Sequence, residues 1–196
     1  YVDQLLITLT GDNPAESIMG MGTRGIMVMG GGTLELHGAP PAVAWTKLGA
    51  HAGASATSLE LMEEVSWYPG DEVVVAPTDF YGASATEQFT LTAVNGEELE
   101  LSGALAAARW GVLQYATTNG MSLTPDGSIT PPVPGTPLVL DERAEVGNLT
   151  RNIVIQAPND TLWQTDGFGV HVMVMDEGSE ARLDGVEIRR GGQRGR

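Results

Sequence analysis

Residues 141–155 read D-E-R-A-E-V-G-N-L-T-R-N-I-V-I and combine charges of both signs, a glycine and a closing apolar run. Alternate residues of an extended strand share a face, so Asp141, Arg143 and Glu145 are predicted to line one side, with Glu142 on the other. A carbohydrate groove can offer such a row of acid, base and acid. These three residues are therefore candidate catalytic residues.

The spacing of the two acids limits what they can do alone. At about 3.3 Å per residue, Asp141 and Glu145 would lie roughly 13 Å apart. The two carboxylates of a glycosidase lie about 5–9.5 Å apart, so a catalytic pair needs a further carboxylate from a neighbouring strand. The structural alternative is an ion-pair ladder, in which Arg143 bridges acids on its own and neighbouring strands.

Short apolar or alternating runs recur along the whole chain with turn residues between them, which predicts an all-β protein. The predicted strands are 5–10, 26–29, 33–36, 42–48, 57–62, 71–76, 89–94, 98–101, 138–145, 152–156, 170–175, 180–183 and 185–189. Asn95-Gly96 predicts a hairpin between two of them. Residues 104–109 are the only predicted helical turn, and residues 117–137, rich in proline and glycine, are predicted to form a long excursion.

Two all-β architectures fit this pattern about equally well. The late strands have V-x-I and L-x-G-V-x-I runs, whose inward aliphatic residues would stack between the coils of a parallel β-helix. Short strands separated by turns also suit a β-sandwich. The pattern alone leaves both open.

Charge and composition exclude several classes of function. The 196 residues carry a formal net charge of −15, which argues against a nucleic-acid partner and an anionic membrane surface. No cysteine is present, and no apolar run is long enough to span a membrane. Four arginines, Arg189, Arg190, Arg194 and Arg196, make the end locally basic. They are candidates for an anionic partner, or an exposed end that pairs with acidic neighbours.

Few residues indicate a metal, a cofactor or a modification. The three histidines lack the spacing of a zinc motif, no phosphate loop is present, and no cofactor is predicted. Acidic residues could hold calcium, although the EF-hand spacing is absent. The N-x-T triplets at Asn148 and Asn159 are candidate glycosylation sites, or else unmodified polar turns. Gly147 is expected to permit a bend, so Gly147→Val is predicted to be badly tolerated.

Several stretches together resemble a known family. They are G-G-G-T-L-E-L-H-G (30–38), A-W-T (44–46), P-G-D-E-V-V-V-A-P-T-D-F (69–80), R-A-E-V-G-N-L-T-R-N-I-V-I (143–155) and G-V-E-I-R-R-G-G-Q-R-G-R (185–196). They look like the end of an eight-glycine domain and the β-helix that follows it in fibrocystin, fibrocystin-like and cell-migration-inducing, hyaluronan-binding proteins. Their order and approximate spacing agree from about residue 20 onward.

The resemblance implies a right-handed parallel β-helix. Residues 1–50 would be the end of the eight-glycine-type region, residues 51–137 would be β coils with the hairpin and the long loop, and residues 138–196 would be further rungs. All three ranges would belong to one continuous solenoid. The opening Tyr1 suggests that the chain is part of a longer polypeptide.

The resemblance also implies a place in a secreted or cell-surface ectodomain. The first functional hypothesis is a structural or adhesive module that presents a surface to glycans or partner proteins, including neighbouring chains of an assembly. The alternative is part of an endo-acting depolymerase of hyaluronan-type polysaccharide, which would be a glycosidase. Whether the protein is an enzyme stays open, because the chain holds no complete catalytic set and stops before the family's histidine-bearing segment.

Overall fold

The computed structural model describes residues 3–79, 84–125 and 138–195. The elements of these residues are β1 (Leu5–Thr8), β2 (Gly25–Val28), β3 (Thr33–His37), β4 (Trp45–Lys47), β5 (Ser58–Glu60), β6 (Glu72–Val75), β7 (Glu87–Asn95), β8 (Glu98–Leu101), β9 (Gln114–Thr117), β10 (Gly120–Ser122), β11 (Val139–Leu140), β12 (Glu145–Asn148), β13 (Ile153–Gln156), α1 (Thr161–Gln164), β14 (His171–Val174), β15 (Glu180–Asp184) and β16 (Val186–Arg189). The predicted all-β class is confirmed. None of the described helical residues forms a helix long and apolar enough to cross a membrane.

The chain divides into two compact units, named here by the direction of their strand pairs. The parallel unit comprises Tyr1–Pro40 and Arg151–Arg196, and the antiparallel unit comprises Pro41–Thr150. This division differs from the expected single solenoid with boundaries after residues 50 and 137. The physical reason is that the strands of the middle segment pair antiparallel with one another instead of continuing a parallel stack.

Strands from two chain segments pair with one another in the sheets of the parallel unit. β13 lies between β1 and β16, β14 pairs with β2, and β15 pairs with β3, all in parallel. The strands therefore recur in the same order along both segments. Leu5 is opposite Ile153, and Ile153 is in turn opposite Val186.

The turns between these strands also lie over one another. The backbone N–H of Gly30 donates to Oδ2 of Asp176 at 3.0 Å, and that of Gly31 donates to Oγ of Ser179 at 3.1 Å. Gly30 and Asp176 both have positive φ, 66° and 76°, a conformation that glycine and aspartate adopt more readily than other residues. Each segment thus turns by similar means between its second and third strands.

The apolar core of the parallel unit is small. Its fully buried cluster consists of Ile155, Ala157 and Val170. Partly buried side chains packed against it come from several strands and one loop: Ile7, Leu9, Ile26, Leu36 and Val186. Five further apolar residues of this unit are buried outside that cluster: Met21, Val28, Ile153, Val154 and Phe168.

A buried polar network supplements this core. Arg24 is only 1% exposed. Its guanidinium donates to the carboxylate of Asp160, with 3.1 Å between Nη1 and Oδ1, and to the carbonyls of Gly11 at 2.6 Å and Phe168 at 2.8 Å. It also lies 5.1 Å from the centre of the Phe168 ring. Buried Gln193 accepts from the backbone N–H of Gly22 at 2.8 Å, so that polar contacts join the two segments.

The antiparallel unit contains a six-stranded sheet in the order β4-β12-β6-β7-β8-β5 and a three-stranded sheet in the order β10-β9-β11. The predicted hairpin joins β7 and β8. Its turn lies one residue later than predicted, because Asn95 pairs with Glu98 and only Gly96 takes a positive φ, of 67°. Glycine is the residue that tolerates this backbone conformation best.

The core of this unit is larger. One continuous cluster of buried apolar residues consists of Leu48, Ala52, Leu59, Leu61, Trp67, Val73, Val75, Leu91, Leu99, Leu101, Leu105, Ala144 and Val146. They alternate with exposed residues along the strands, as in the exposed–buried pattern of β8. One face of the six-stranded sheet therefore provides most of this core.

Two local predictions were wrong. Residues 104–109 form no helix, because Leu105 exchanges backbone hydrogen bonds with the segment at Ser55 and Ala56. The helix of the described residues is α1, where the side chain of Asp160 caps the start by accepting from the N–H of Trp163 at 3.0 Å. Asp160, which immediately precedes the helix, was the signal for this cap.

Two further expectations need correction. The predicted excursion 117–137 begins as a hairpin of β9 and β10. The hydroxyl of Thr117 donates to the carbonyl of Gly120 across its turn at 3.0 Å. Residues 126–137 of the predicted excursion lie outside the described residues. Gly147 lies within β12 and pairs with β4 and β6 on both sides, so no bend occurs there. The reason given for the intolerance of Gly147→Val was wrong.

Candidate functional site

Asp141 and Arg143, two of the three candidate catalytic residues, form an ion pair just before β12. Nε of Arg143 lies 2.9 Å from Oδ1 of Asp141, and Nη2 lies 2.9 Å from Oδ2. Lys47 of β4 approaches the same carboxylate, with 3.1 Å between Nζ and Oδ2. Two cations therefore hold both oxygens of Asp141.

These contacts determine the charge of the pair. Hydrogen bonds from the Arg143 guanidinium, followed by the bond from Lys47, hold the pKa of Asp141 well below its ordinary value, although partial burial acts in the opposite direction. The same pair raises the pKa of Arg143. Asp141 is therefore ionised at neutral pH and cannot donate a proton as a general acid.

Glu145 does not join this pair. It is the first residue of β12, it is exposed, and it lies opposite Lys47 in the register of β4. Asp141 and Arg143 precede the strand, where the backbone N–H of Arg143 turns back to Oδ1 of Asp141 at 3.3 Å. The expected row of three residues on one strand face is therefore wrong, because this local turn takes two of them out of the ladder.

Asn148, the first glycosylation candidate, is buried in β12 with 3% exposure. Its Nδ2, the atom that would carry a glycan, donates to Oδ2 of Asp71 at 2.8 Å. Its Oδ1 accepts from the backbone N–H of Thr150 at 2.8 Å. This folded structure leaves no room for a glycan at Asn148.

Asn159, the second candidate, lies in a different environment. It is exposed in the turn before α1, and its Oδ1 accepts from Nε2 of Gln164 at 3.1 Å. Thr161, the third residue of the triplet, is also exposed. Of the two triplets, this one has the accessibility that modification requires.

The terminal arginines do not form a common basic surface among the described residues. Arg189 pairs with Glu187 of its own strand. Arg190 donates to Gln156 and, at 2.5 Å, to the carbonyl of Ala157. Arg194 is exposed, and Arg196 lies outside the described residues. Two of the four candidates are thus engaged in contacts within the parallel unit.

A cleft of 390 Å³ in the antiparallel unit was not predicted from the sequence. The polar and aromatic residues that line it are His51, Thr78, Asp79, Trp110, Gln114 and Glu142. No motif or regular spacing links these residues. From strand alternation, Glu142 was expected on the side opposite to Asp141, Arg143 and Glu145.

The aromatic part of the cleft is held by backbone contacts. The rings of His51 and Trp110 meet edge to face, with 4.3 Å between their centres and an angle of 68°. Nδ1 of His51 accepts from the N–H of Gly111 at 3.2 Å, and the indole N–H of Trp110 donates to the carbonyl of Val112 at 2.6 Å. These bonds fix both ring planes.

The polar part of the cleft carries two carboxylates. Nε2 of Gln114 lies 3.4 Å from Oε2 of Glu142. Asp79 accepts a hydrogen bond from the hydroxyl of Ser84, and this bond lowers the pKa of Asp79. Both carboxylate side chains are exposed. The cleft therefore offers hydrogen-bond acceptors of negative charge beside an aromatic wall.

Arg109 also borders this cleft, but it is buried with 1% exposure. Its Nη2 pairs with Oε1 of Glu87 at 2.6 Å and donates to the carbonyl of Ala85 at 2.9 Å. Its Nη1 donates to the hydroxyl of Ser84 at 3.0 Å. Arg109 is thus paired with Glu87, and its charge also helps to lower the pKa of the cleft residue Asp79.

A second cleft in the antiparallel unit has a volume of 630 Å³. Four glutamates border it: Glu60, Glu64, Glu97 and Glu98. Among residues 3–79, 84–125 and 138–195, no group of three histidine, aspartate or glutamate side chains is arranged to hold a metal ion. The acidic border alone therefore defines no site.

Comparison with known proteins identifies the N-terminal part of the chain. Residues 1–49 match the G8 domain family. One solved structure that is similar to the chain is the gp61 tailspike of Pseudomonas phage phi297, with a TM-score of 0.38 and 10% identity over 95% of this chain and 22% of that chain. A likeness at this level gives no information about binding or catalysis.

Sequence relatives extend the match over most of the chain. Fibrocystin-L of Homo sapiens is 32% identical over 176 residues, which cover 86% of this chain and 4% of that protein. Cell surface hyaluronidase CEMIP2 of Homo sapiens is 34% identical over 145 residues, which cover 69% of this chain and 9% of that protein. The chain thus spans less than a tenth of either relative. Together with the G8 match, these relatives show that the chain belongs to the G8-domain superfamily.

Proposed function

We propose that this chain is a structural or adhesive module of a secreted or cell-surface protein, and that its parallel unit is part of a right-handed parallel β-helix. The observation that supports the architecture is the repeated strand order of the two segments. Ile153 pairs with Val186, 33 positions later, a separation typical of one coil that stacks on the next. An insertion of the antiparallel unit explains the larger separation between Leu5 and Ile153.

The family supports the location and the adhesive role. One relative is named a cell surface hyaluronidase, and the exposed triplet at Asn159 suits passage through a secretory pathway. The excess of acidic residues disfavours nucleic acid as a partner. An extracellular glycan or protein, or a neighbouring chain of an assembly, is the partner that fits this setting.

The β-helix can be tested by cross-linking, because the chain has no natural cysteine. Thr8 and Gln156 are paired in register, with 3.2 Å between Oγ1 and Nε2. A Thr8→Cys, Gln156→Cys variant should form a disulfide under mild oxidation, because side chains on paired strands lie within disulfide reach. The control Thr8→Cys, Ile155→Cys is one residue out of register and should not. Equal cross-linking of both variants would contradict the coil stack.

The second candidate function is a contribution to hyaluronan depolymerisation, favoured by the similarity to the named hyaluronidase. The binding of Asp141 by Arg143 and Lys47 disfavours it, because this carboxylate is not available as a proton donor. The net charge of −15 also repels a polyanion.

One experiment separates the two functions. Beads that carry the chain are applied to immobilised extracellular polysaccharides and matrix proteins, while fluorescent hyaluronan is incubated with the same chain and its size is followed by chromatography. The adhesive function predicts retention of the beads and an unchanged polymer. Shortening of hyaluronan that disappears in Asp141→Asn would establish the enzyme instead. Absence of both effects would refute the adhesive proposal.

A further inference from the structure

We infer that the 390 Å³ cleft of the antiparallel unit binds a neutral saccharide and discriminates against glycans that carry uronate groups. This inference rests on the proposed adhesive function and names the class of glycan that the module would hold. The volume lies within the range of about 300–1,000 Å³ typical of small-molecule sites. The three candidate catalytic residues, Asp141, Arg143 and Glu145, do not line this cleft.

The aromatic wall provides the apolar part of recognition. The hydrocarbon face of a sugar ring is apolar, and an aromatic ring is its usual support because it buries that face at little entropic cost. Trp110 is half-buried, and its indole is fixed by the bond to Val112 and by contact with His51. The ring is therefore oriented before any ligand arrives, which lowers the entropic cost of binding.

The polar wall provides the directional part. Asp79 and Glu142 are acceptors for sugar hydroxyls, and the amide of Gln114 can both donate and accept. Hydrogen bonds to ionised carboxylates are about twice as strong as neutral ones. The contact between Gln114 and Glu142, at 3.4 Å, is long enough that a hydroxyl can replace it without the loss of a strong bond.

The charge of the cleft selects among saccharides. Its cation, Arg109, is balanced by Glu87 and turned to Ser84 and Ala85. The exposed carboxylates that a ligand would meet are those of Asp79 and Glu142, of which Asp79 is linked to Arg109 through the hydroxyl of Ser84. A uronate would thus meet two carboxylates, whereas a neutral hexose would meet only hydrogen-bonding partners.

The test measures binding of soluble oligosaccharides to the whole chain by calorimetry. The neutral probes are hexasaccharides of glucose, mannose and N-acetylglucosamine, the uronate probe is a hyaluronan hexasaccharide, and a hexalysine peptide probes simple attraction of cations. At least one neutral probe should bind, and the hyaluronan probe should bind at least about tenfold more weakly.

Three variants test whether the saccharide binds in this cleft. Glu142→Gln should weaken binding of the neutral saccharide about tenfold, since a hydrogen bond to a charged group contributes about 1.5 kcal/mol. Gln114→Ala should weaken it about fivefold, since a hydrogen bond to a neutral amide contributes about 1 kcal/mol. Glu142→Gln should at the same time strengthen the hyaluronan probe, because a repulsive charge is lost. Glu64→Gln makes the same change at the second cleft of the same unit and should leave both affinities unchanged.

Three results would overturn the inference: no binding of any neutral probe at millimolar concentration, preference for hyaluronan, or preference for hexalysine. Retention of coated beads that persists in Glu142→Gln and is not competed by neutral probes would refute the cleft alone and leave the adhesive function standing. Saccharide binding without retention of beads would refute the adhesive function and leave the cleft standing.

Discussion

In the antiparallel unit, thirteen buried apolar residues form one continuous cluster, whereas the parallel unit has eight buried apolar residues, of which only three form a cluster. The antiparallel unit is one uninterrupted piece of chain, and the parallel unit joins two pieces. The smaller core has to hold together segments that are distant in sequence. The comparison indicates that polar contacts contribute a larger share of the stability of the parallel unit.

Each unit contains an ion pair between an arginine and an aspartate, and the two pairs differ in burial and in sequence separation. Arg24 and Asp160 are 136 positions apart, and Arg24 is fully buried. Arg143 and Asp141 are two positions apart at the surface. The chemistry is the same, but the first pair closes a long loop and the second only shapes a turn. Removal of each pair should therefore have very different consequences.

The largest expected effect is that of Arg24→Met. The change leaves the carbonyls of Gly11 and Phe168 without the donor that Arg24 provides. The free energy of unfolding should fall by about 3 kcal/mol, which is at the lower end for a broken buried ion pair because Asp160 is partly exposed. Hydrogen exchange followed by mass spectrometry should show faster exchange in β1, β2 and β13 but not in β6 to β8. The control Arg143→Met should cost less than about 1 kcal/mol. Equal losses for both variants would refute the contrast between the pairs.

Two glycines of the antiparallel unit differ in the space that a Cβ atom would have. A Cβ atom at Gly111 would overlap the carbonyl of Ala50, whereas one at Gly147 would meet Val74 at 3.5 Å in ordinary contact. Gly111→Ala should therefore lower the free energy of unfolding by about 2 kcal/mol, and Gly147→Ala should leave it unchanged or raise it by about 0.5 kcal/mol. Urea denaturation measures both. A loss at Gly147 as large as that at Gly111 would show that close packing is not the cause.

A smaller effect concerns acid stability. Arg143 lowers the pKa of Asp141 in the folded state, so this residue contributes stability above its unfolded pKa of about 3.9 and loses that contribution as the pH falls through the folded value. Asp141→Asn should cost about 1 kcal/mol or less at pH 7, since the pair is partly exposed, and nothing at the acid extreme. The difference between the denaturation midpoints of the two proteins should become steadily smaller as the pH falls from about 4 to 2. A constant difference would contradict the linkage.

The smallest effect on stability is expected from glycosylation, which should occur in the parallel unit but not in the antiparallel unit. Secretion from a mammalian cell should place a glycan on Asn159 in the parallel unit and none on Asn148 in the antiparallel unit, because only the former is exposed. Enzymatic deglycosylation and peptide mass spectrometry identify the site. Thr161→Ala should abolish the modification without a change in fold. A glycan found at Asn148 would mean that the folded environment of β12 differs from the one described.

Most strands could be predicted from the sequence, because alternation and turn residues are local signals. The predicted runs 33–36 and 152–156 agree with β3 and β13 to within one residue. The turn at Asn95-Gly96 was found from the same kind of signal and shifted only by one residue. The G8 relationship was visible as well, because it rests on short stretches kept in order.

The partners of those strands could not be predicted in this way. Nothing local to residues 45–47 or 72–75 indicates that both flank β12 in antiparallel register. The prediction of the candidate site was wrong for the same reason. Alternation assumed a strand at Asp141 and Arg143, where the carboxylate of Asp141 instead accepts a hydrogen bond from the backbone N–H of Arg143. The cleft draws on His51, Asp79, Trp110 and Glu142, which no spacing connects.

The sequence by itself determined the all-β class, the family and the positions of most strands, since each depends on residues close together along the chain. Only the tertiary structure decided that two distant segments pair in parallel while the middle segment pairs antiparallel with itself. It also decided that Asn148 is buried, Asn159 is exposed and Arg24 meets Asp160. Such contacts depend on which long-range pairs bury most surface at the least loss of chain entropy, and that balance is a property of the whole chain.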